Sequence, residues 1–290
     1  MTIQVASIRW AAAQEALREA VGRVTTLLRS DLDPNVPAVG EWTLAEVAMH
    51  LSQAWVVVPG LARADLSRAY EVLPALEGIA GENFIRDVWD LGGVTKLGVS
   101  SDPERNLRTL ADRIEGRAGE FFAEQAGCSA DEPRPWLVEG LVVPRSVLTA
   151  HLLHETLIHG SDIARAARRP WPIDPSHAAL VFGGFLVEAL RVLDPRAMVD
   201  QKRAKGVRAV YDIRLRGADS FVFDFDDGEL RIDPPGGGRV DCHLSADPVA
   251  LMMVALGRRS QWTAIAKGQL VAWGRKPWLG PRLRRMIRNP

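Results

Sequence analysis

The hydrophobic periodicity changes once along this chain of 290 residues, and that change limits the fold more than any other feature. Up to about residue 200 the apolar residues recur at helical spacing. Further on they alternate, most strictly at Phe221, Phe223 and Phe225, as in a half-buried strand. The sequence therefore predicts a helical domain over residues 1–200 and a small α+β domain over residues 205–290.

The first domain is predicted to be a four-helix bundle, because four long segments carry an amphipathic pattern. Helix signals set their limits: Thr43 and Glu46 form a capping box, and Pro59-Gly60 should end the helix that follows. The expected helices are residues 7–29, Leu44 to about Val58, a third opened by Asp102-Pro103-Glu104, and Arg145 to about Ala167. The segment from Leu61 to Ser100 has no clear period and is expected to hold short helices beside the bundle mouth.

The second half of the chain predicts one more apolar helix and then a small sheet. The helix should start at Asp174-Pro175 and run to about Leu193, and the charged segment 194–205 should be a linker. Strands are expected over residues 207–215, 221–225, 230–232 and 240–244, with a hairpin turn at Asp227-Gly228, a loop at 234–238 and a helix from Asp247-Pro248 to Leu256.

Composition argues against nucleic acid and membrane partners. Lysine plus arginine equals aspartate plus glutamate at 36 each, so no net field attracts an anionic polymer or surface. The first twenty residues lack the apolar core of a signal peptide. Cys128 and Cys242 stand far apart without a Cys-x-x-Cys motif, which is typical of a reducing compartment. We expect a cytoplasmic monomer or small homo-oligomer.

Three side chains recur every four residues in the fourth predicted helix, namely His151, Glu155 and His159. Each step of four turns a helix by about 400°, so the three lie on one narrow stripe with neighbours about 6 Å apart. Two adjacent members can reach one ion. We favour Glu155 with His159, because this pair leaves a third position for His50, which lies on the apolar face of the second helix.

The pattern thus predicts a divalent metal bound by His50, Glu155 and His159. Two imidazoles and one carboxylate suit zinc, nickel or ferrous iron and leave open positions, as a catalytic site requires. Other interpretations stay open at this point. His50 alone is also typical of a hydrogen-bonded core histidine, and His151 and His154 are either partners of a buried Glu155 or exposed.

Three parts of the chain resemble one known family. Residues 41–51 read EWTLAEVAMHL, residues 155–163 read ETLIHGSDI, and the C-terminal region contains Gly257-Arg258, Lys267-Gly268 and WGRKPW at residues 273–278. The first two resemble the W-T/S-x-x-x-V/L-x-x-H-L and E-x-x-x-H-G-x-D-I/L segments of the mycothiol-dependent maleylpyruvate isomerase family, a branch of the DinB-like metal-binding bundles. The third resembles that family's appended domain, which is similar to sterol carrier proteins.

The resemblance implies a DinB-like four-helix bundle with a sterol-carrier-like α+β domain, and it implies residue roles. His50, Glu155 and His159 match the metal ligands of the family. Asp162 matches a polar residue near the metal that orients a bound water, thiol or ligand. Arg275 matches an arginine that the second domain presents towards the bundle to hold a carboxylate or an enolate. As ordinary residues, Asp162 would be a helical aspartate bonding locally and Arg275 a surface arginine.

The resemblance also implies the chemistry: a divalent metal, zinc being expected first, and the actinobacterial thiol mycothiol. Metal coordination deprotonates a thiol whose ordinary pKa is about 8.5. The resulting nucleophile either adds to a small electrophile and stays, which is transfer, or adds and leaves, which is cis-trans isomerisation. The arginine-rich, lysine-poor composition is consistent with a high-GC genome.

Two other function classes stay open. One is a small-molecule or lipid binding module, in which the sterol-carrier-like tail holds an apolar ligand, although the sequence of the tail does not predict a broad apolar tunnel. The other is a ferrous oxygenase, since two histidines and a carboxylate also describe that site. Trp42 and Trp55 are expected to pack rather than to contact substrate.

Overall fold

The computed structural model describes residues 2–72, 85, 88–236 and 238–288. The chain divides into two compact units, Met1–Pro172 and Ile173–Pro290. The predicted boundary at residues 200–205 therefore differs from the observed one, which lies about thirty residues earlier. Residues 73–84, 86 and 87, part of the segment with no clear period, lie outside the described residues.

Unit 1 is built around four long helices. In chain order its described helices are α1 Thr2–Arg29, α2 Leu44–Arg63, α3 Ser67–Val72, α4 Leu91–Ser101, α5 Leu107–Glu124 and α6 Arg145–Ala166. Helices α1 and α2 each pack against both α5 and α6, so the four form a bundle. Leu17, Leu51, Ile114 and Leu157 are fully buried between them. The predicted bundle is therefore confirmed, with α3 and α4 as short helices beside it.

Helix α2 begins where the sequence predicts and ends later. The Thr43 hydroxyl accepts from the Glu46 amide and the Glu46 carboxylate accepts from the Thr43 amide, which is the predicted capping box. The predicted stop at Pro59-Gly60 is wrong. Proline lacks an N–H, but its neighbours are buried, and the helix continues to Arg63, where Ala64 takes a left-handed conformation and closes the end.

The third bundle helix, α5, begins later than predicted. Asp102 instead follows the end of α4, and its carboxylate accepts from the Glu104 amide in a local turn. Asn106 is the residue that caps α5, accepting from the amides of Arg108 and Thr109. An aspartate followed by proline is a good start signal, but here it closes a turn rather than opening a helix.

Two short hairpins join the helices of unit 1. Strands β1 Pro37–Val39 and β2 Trp42–Thr43 precede α2, and strands β3 Pro133–Pro135 and β4 Val142–Pro144 precede α6. Among the described residues, α2 is the one helix long and apolar enough to cross a bilayer by length and composition. It is mostly buried within unit 1, as the core helix of a bundle would be.

Unit 2 contains a mixed sheet of five strands among its described residues. They are β5 Arg208–Leu215, β6 Ser220–Asp226, β7 Glu229–Ile232, β8 Cys242–Ala246 and β9 Leu270–Trp273, in the order β7-β6-β5-β8-β9. The β5–β8 pair is parallel and the other pairs are antiparallel. Phe221, Phe223 and Phe225 face the core, and Asp227-Gly228 forms the hairpin turn, as predicted.

Helices cover the inner face of this sheet. They are α7 Pro175–Val181, a π-helical turn Phe182–Leu186, α8 Val187–Val192, α9 Gln201–Ala204, α10 Pro248–Ala255, α11 Gln261–Ala266 and α12 Gly280–Met286. Phe182 lies against Phe221, and the Asp200 amide donates to the Met286 carbonyl. The predicted linker 194–205 is thus wrong, because these contacts make it part of unit 2. Helical periodicity alone cannot show whether a helix packs on a bundle or on a sheet.

Candidate metal centre

Helices α2 and α6 bring three of the predicted site residues together inside unit 1. The Nε2 atoms of His50 and His159 lie 3.3 Å and 3.2 Å from the same carboxylate oxygen, Oε2 of Glu155. The potential ligand atoms of the three side chains lie within 4.8 Å of one another. The imidazole rings of His50 and His159 meet edge to face with centroids 4.7 Å apart. Three possible metal ligands thus surround one point between two helices.

The local sequence explains this convergence. Glu155 and His159 are separated by one turn of α6, which places both side chains on one face. The opposite helix α2 presents His50 from a run that is buried almost throughout, including Met49 and Leu51. All three side chains are at least four-fifths shielded from solvent. The bundle core therefore holds a polar cluster that needs mutual contacts or a bound ion to offset its desolvation.

Two more histidines of α6 contact the other carboxylate oxygen. His151 Nε2 and His154 Nδ1 lie 3.4 Å and 3.3 Å from Glu155 Oε1. Of the two interpretations left open by the sequence, the structure supports partners of a buried Glu155 rather than exposed histidines. The i,i+4 spacing pointed to His151. It gave no signal for His154, because adjacent helix residues do not normally face one another.

The charge state of the cluster follows from these contacts. Burial raises the pKa of Glu155, but the four imidazoles outweigh it and hold that pKa well below its usual range. Burial lowers the pKa of His50 and of His154, so both are neutral at neutral pH. Burial acts the same way on His159, but the carboxylates of Asp162 and Glu155 prevail and raise its pKa to about 9.

Asp162 lies on the far side of His159 from Glu155. Its Oδ2 atom is 3.5 Å from His159 Nδ1, and its side chain is fully buried. Its Oδ1 atom is 3.4 Å from the Arg165 guanidinium. A carboxylate beside the outer nitrogen of an imidazole fixes the ring and its tautomer, which is the usual support for a metal-ligating histidine.

The donor set fits a metal ion. Two ligand atoms about 2.1 Å from an ion and at the tetrahedral angle lie about 3.4 Å apart. The His50–Glu155 and His159–Glu155 separations of 3.3 Å and 3.2 Å are close to that value. They are longer than the usual N–H···O hydrogen bond of about 2.9 Å. Two imidazoles and one carboxylate are ligands that zinc, nickel and ferrous iron accept.

The residues beside the cluster take structural positions. Gly160 follows His159 on α6 and lies against the Trp171 indole, whose Nε1 donates to the Leu157 carbonyl at 3.2 Å. A Cβ at residue 160 would lie 2.3 Å from that ring. Trp55 is fully buried against Phe121, as packing predicts. Trp42 is partly exposed, with its ring centroid 5.5 Å from that of His50.

Arg275 belongs to unit 2 and lies just after β9. Its Nη1 is 3.3 Å from Asp241 Oδ1, and the Lys276 ammonium is 3.1 Å from the same oxygen. Asp241 itself is buried. About half of the Arg275 side chain is exposed. The structure thus places Arg275 in an ion pair, and its role towards a substrate stays a prediction.

Unit 2 also contains an apolar cavity of about 250 Å³. It lies between the sheet and helices α10 to α12, and Ile213, Phe223, Leu244, Leu251 and Ile265 contribute to its wall. Ligand pockets usually measure about 300–1,000 Å³. The cavity lies slightly below that range, yet it is large enough to take part of an apolar molecule.

Comparison with known proteins shows the family. The mycothiol maleylpyruvate isomerase N-terminal domain model matches residues 10–164, and the SCP-2 sterol transfer family model matches residues 189–274. The chain therefore belongs to the mycothiol maleylpyruvate isomerase family and carries a C-terminal domain of the SCP-2 type. The predicted bundle and α+β classes are confirmed. No protein with curated annotation shows significant similarity to the chain.

Solved structures agree on the fold. The crystal structure of the mycothiol-dependent maleylpyruvate isomerase matches with a TM-score of 0.51 and 13% identity, over 91% of this chain and 92% of that one. A histidine-to-alanine mutant of that enzyme matches with a TM-score of 0.52 and 12% identity over the same shares. At this identity the likeness shows a common fold.

Proposed function

We propose that this chain is a metal-dependent enzyme that activates mycothiol for S-transfer to, or cis-trans isomerisation of, a small electrophile. The observation that carries the proposal is that His50 and His159 are buried against one oxygen of Glu155. Their Nε2 atoms lie 3.3 Å and 3.2 Å from that oxygen, close to the separation of two ligand atoms on one tetrahedral ion. Family membership supports mycothiol as the thiol. Both cysteines of the chain are free and lie outside the cluster, so the reacting sulfur is expected to come from the cosubstrate.

The proposed chemistry divides between the ion and the protein. A bound divalent metal would lower the pKa of a coordinated thiol, which makes it nucleophilic at neutral pH. His50, Glu155 and His159 would hold that ion, and the burial of the cluster would limit access of water. Asp162 would keep the His159 ring in the ligating orientation through Nδ1.

One nucleophile serves both reactions. Addition of the sulfur to an electron-poor double bond forms a C–S bond and leaves a single C–C bond that rotates. Departure of the sulfur restores the double bond, now trans, and the thiol is regenerated. If the sulfur stays and the carbon takes up a proton, the product is a thioether. Arg275, with about half of its side chain exposed, is the residue we propose to hold a carboxylate or enolate of the substrate.

The test starts from metal content and then measures turnover. Purified protein, prepared without chelator, is expected to contain zinc and to convert at least one member of an electrophile panel, including maleylpyruvate, in the presence of mycothiol. His50→Ala and His159→Ala should abolish conversion, while His177→Ala, a histidine of unit 2, should not. A chain without stoichiometric metal, or metal-loaded chain inert with every electrophile, would contradict the proposal. Iron together with mycothiol-independent dioxygen uptake would favour the oxygenase instead.

The apolar cavity of unit 2 favours a second candidate function, the binding of an apolar small molecule. Ala255 lines the cavity, whereas Ala266 on α11 is exposed and outside the cavity lining. Titration of the full chain with a fluorescent fatty-acid analogue should show saturable binding. Ala255→Leu should weaken that binding because it fills the cavity, and Ala266→Leu should not. Equal binding by both variants would exclude the cavity as the site.

A further inference from the structure

The Glu155 carboxylate has imidazoles on both of its oxygens. His50 and His159 face Oε2, and His151 and His154 face Oε1. The proposed mononuclear site uses only the first pair. The second pair, together with Oε1, forms a separate group whose ligand atoms also lie within 4.8 Å of one another. His151 and His154 are at least as well shielded from solvent as the first pair.

The distances of the second group match coordination as closely as those of the first. His151 Nε2 and His154 Nδ1 lie 3.4 Å and 3.3 Å from Oε1. Two atoms bound to one tetrahedral ion at about 2.1 Å are about 3.4 Å apart. A carboxylate whose two oxygens each face two imidazole nitrogens has the donor arrangement of a bridging ligand. Two-metal enzymes hold their ions about 3.5–4 Å apart by such shared ligands.

We propose that this bundle holds a second divalent ion on His151 Nε2, His154 Nδ1 and Glu155 Oε1, with Glu155 bridging the two ions. This inference rests on the proposed metal centre, because it uses the second oxygen of the same carboxylate. The three donors suit zinc or another imidazole-preferring divalent metal. The second ion makes the site dinuclear rather than mononuclear.

A second ion changes the charge of the site. With one ion, the carboxylates of Glu155 and Asp162 neutralise its two positive charges. With two ions, two positive charges are left over within a shielded region. A buried excess of positive charge attracts anionic ligands strongly, because the local dielectric is low. The dinuclear site therefore favours substrates that carry a carboxylate, in addition to a thiol that binds as its anion.

The decisive measurement is the number of ions bound per chain. The full chain, freed of metal by chelator dialysis and then loaded with zinc, is analysed after gel filtration by elemental analysis and native mass spectrometry. We expect two ions per wild-type chain, one in His151→Ala and one in His159→Ala. His177→Ala should still hold two. After loading with cobalt, the wild type should show magnetic coupling between its two ions. His151→Ala and His159→Ala, with one ion each, should show none.

The outcomes separate the two proposals. One ion in the wild type, unchanged in His151→Ala, overturns the second site and leaves the first intact. No ion in the wild type overturns both. If His151→Ala fails to fold, as judged by circular dichroism, His154→Asn makes the same test from the other ligand, and the wild-type count decides without any variant.

Discussion

At the scale of single residues, the cluster is organised by one carboxylate. A buried, ionised carboxylate costs several kcal/mol unless it is paired. Glu155 meets that requirement with imidazoles on both oxygens, which is why its pKa is held well below the usual range. The charge of His159, whose pKa is raised to about 9, belongs to the metal-free protein, because a ligating imidazole must be neutral.

Metal binding should therefore release a proton. At neutral pH the metal-free His159 is protonated, while His50 is already neutral and Glu155 ionised. We expect release of about one proton as His159 takes up its ion, falling towards zero as the pH rises through about 9. The charge of His159 also stabilises the folded metal-free protein. This contribution is complete at a pH below the pKa of His159 in the unfolded chain, and it is lost as the pH rises through about 9.

Calorimetry of zinc binding in two buffers with different protonation enthalpies measures this number. Asp162→Asn is the informative comparison, because removing that charge lowers the pKa of His159 and should reduce the proton count at neutral pH. A binding enthalpy that does not depend on the buffer at neutral pH would show that His159 is neutral before the metal arrives.

Asp162→Asn should also weaken metal binding. The amide can still contact His159 Nδ1 but no longer supplies the negative charge beside it. Loss of such a partner typically costs about 10–100-fold in metal affinity. Competition with a chromogenic chelator gives the affinity directly, and Arg165→Gln, which removes an ion-pair partner of Asp162, serves as the milder control. Unchanged affinity in Asp162→Asn would mean that the aspartate only bonds locally.

How far the sequence determined the site differs between residues. The four-residue spacing was enough to bring Glu155 and His159 together, since helix geometry fixes it. The inward position of His50 followed from the apolar residues around it. His154 was different: its contact with Glu155 depends on the side-chain rotamers of two adjacent residues, which no pattern specifies. Arg275 and its pairing with Asp241 depended on a tertiary fold that the local sequence does not encode.

At the scale of elements, the position of α6 matters most for the geometry of the site. Of Glu155 and the four histidines around it, only His50 lies on another helix. Gly160 allows Trp171 to lie directly on the helix, and Arg23 stacks over that indole with its guanidinium carbon 4.3 Å from the ring centroid. This contact fixes α6 just one residue beyond His159. A change there is expected to affect stability and metal geometry together.

Gly160→Ala should destabilise the protein. The new methyl group would overlap the Trp171 ring, and such overpacking typically costs about 1–3 kcal/mol. Better helix propensity offsets about 1 kcal/mol of that cost. We expect a net loss of up to about 2 kcal/mol in the free energy of unfolding, measured by urea denaturation of metal-free protein.

The matched control is Gly116→Ala on α5, where a Cβ meets no atom within 4 Å. It should gain up to about 1 kcal/mol from helix propensity alone. If both variants shift in the same direction, the Trp171 contact is not what requires glycine at residue 160.

The limits of the helices show what local signals can and cannot decide. The capping box at Thr43 predicted the start of α2 because it is a complete local device. The end of α2 at Arg63 could not be predicted, since burial of the turn that follows Pro59 outweighed the hydrogen bond that proline cannot donate. Asp102-Pro103 was also misleading, because an aspartate stabilises a turn as readily as a helix start.

At the scale of the whole molecule, two units with separate cores form one chain. The candidate metal centre lies in unit 1 and the apolar cavity in unit 2. The change in periodicity near residue 205 marked where strands begin, not where the second unit begins. Helices α7 to α9 are part of unit 2, because Phe182 and Val187 are buried in the same hydrophobic core as the sheet. The local sequence does not show which core a helix will join.

Removal of the metal should lower the unfolding temperature. A ligand at about 100 times its dissociation constant stabilises the native state by about 2.7 kcal/mol. For a domain of the size of unit 1, that free energy corresponds to a fall of about 5–10 °C in the unfolding temperature. Differential scanning fluorimetry with excess zinc and with chelator checks this, and Glu155→Gln should lose most of the response. An equal unfolding temperature in both conditions would show that the native bundle binds no metal tightly.

The ion pair at Asp241 has a consequence for any anion that meets unit 2. Two cations, Arg275 and Lys276, share one oxygen of this shielded carboxylate. If the guanidinium turns towards another anion, the ammonium still neutralises Asp241. Arg275 can therefore leave Asp241 to bind another anion and return to it later. Lys276 stays paired with Asp241 meanwhile, so the buried carboxylate is never left without a cation.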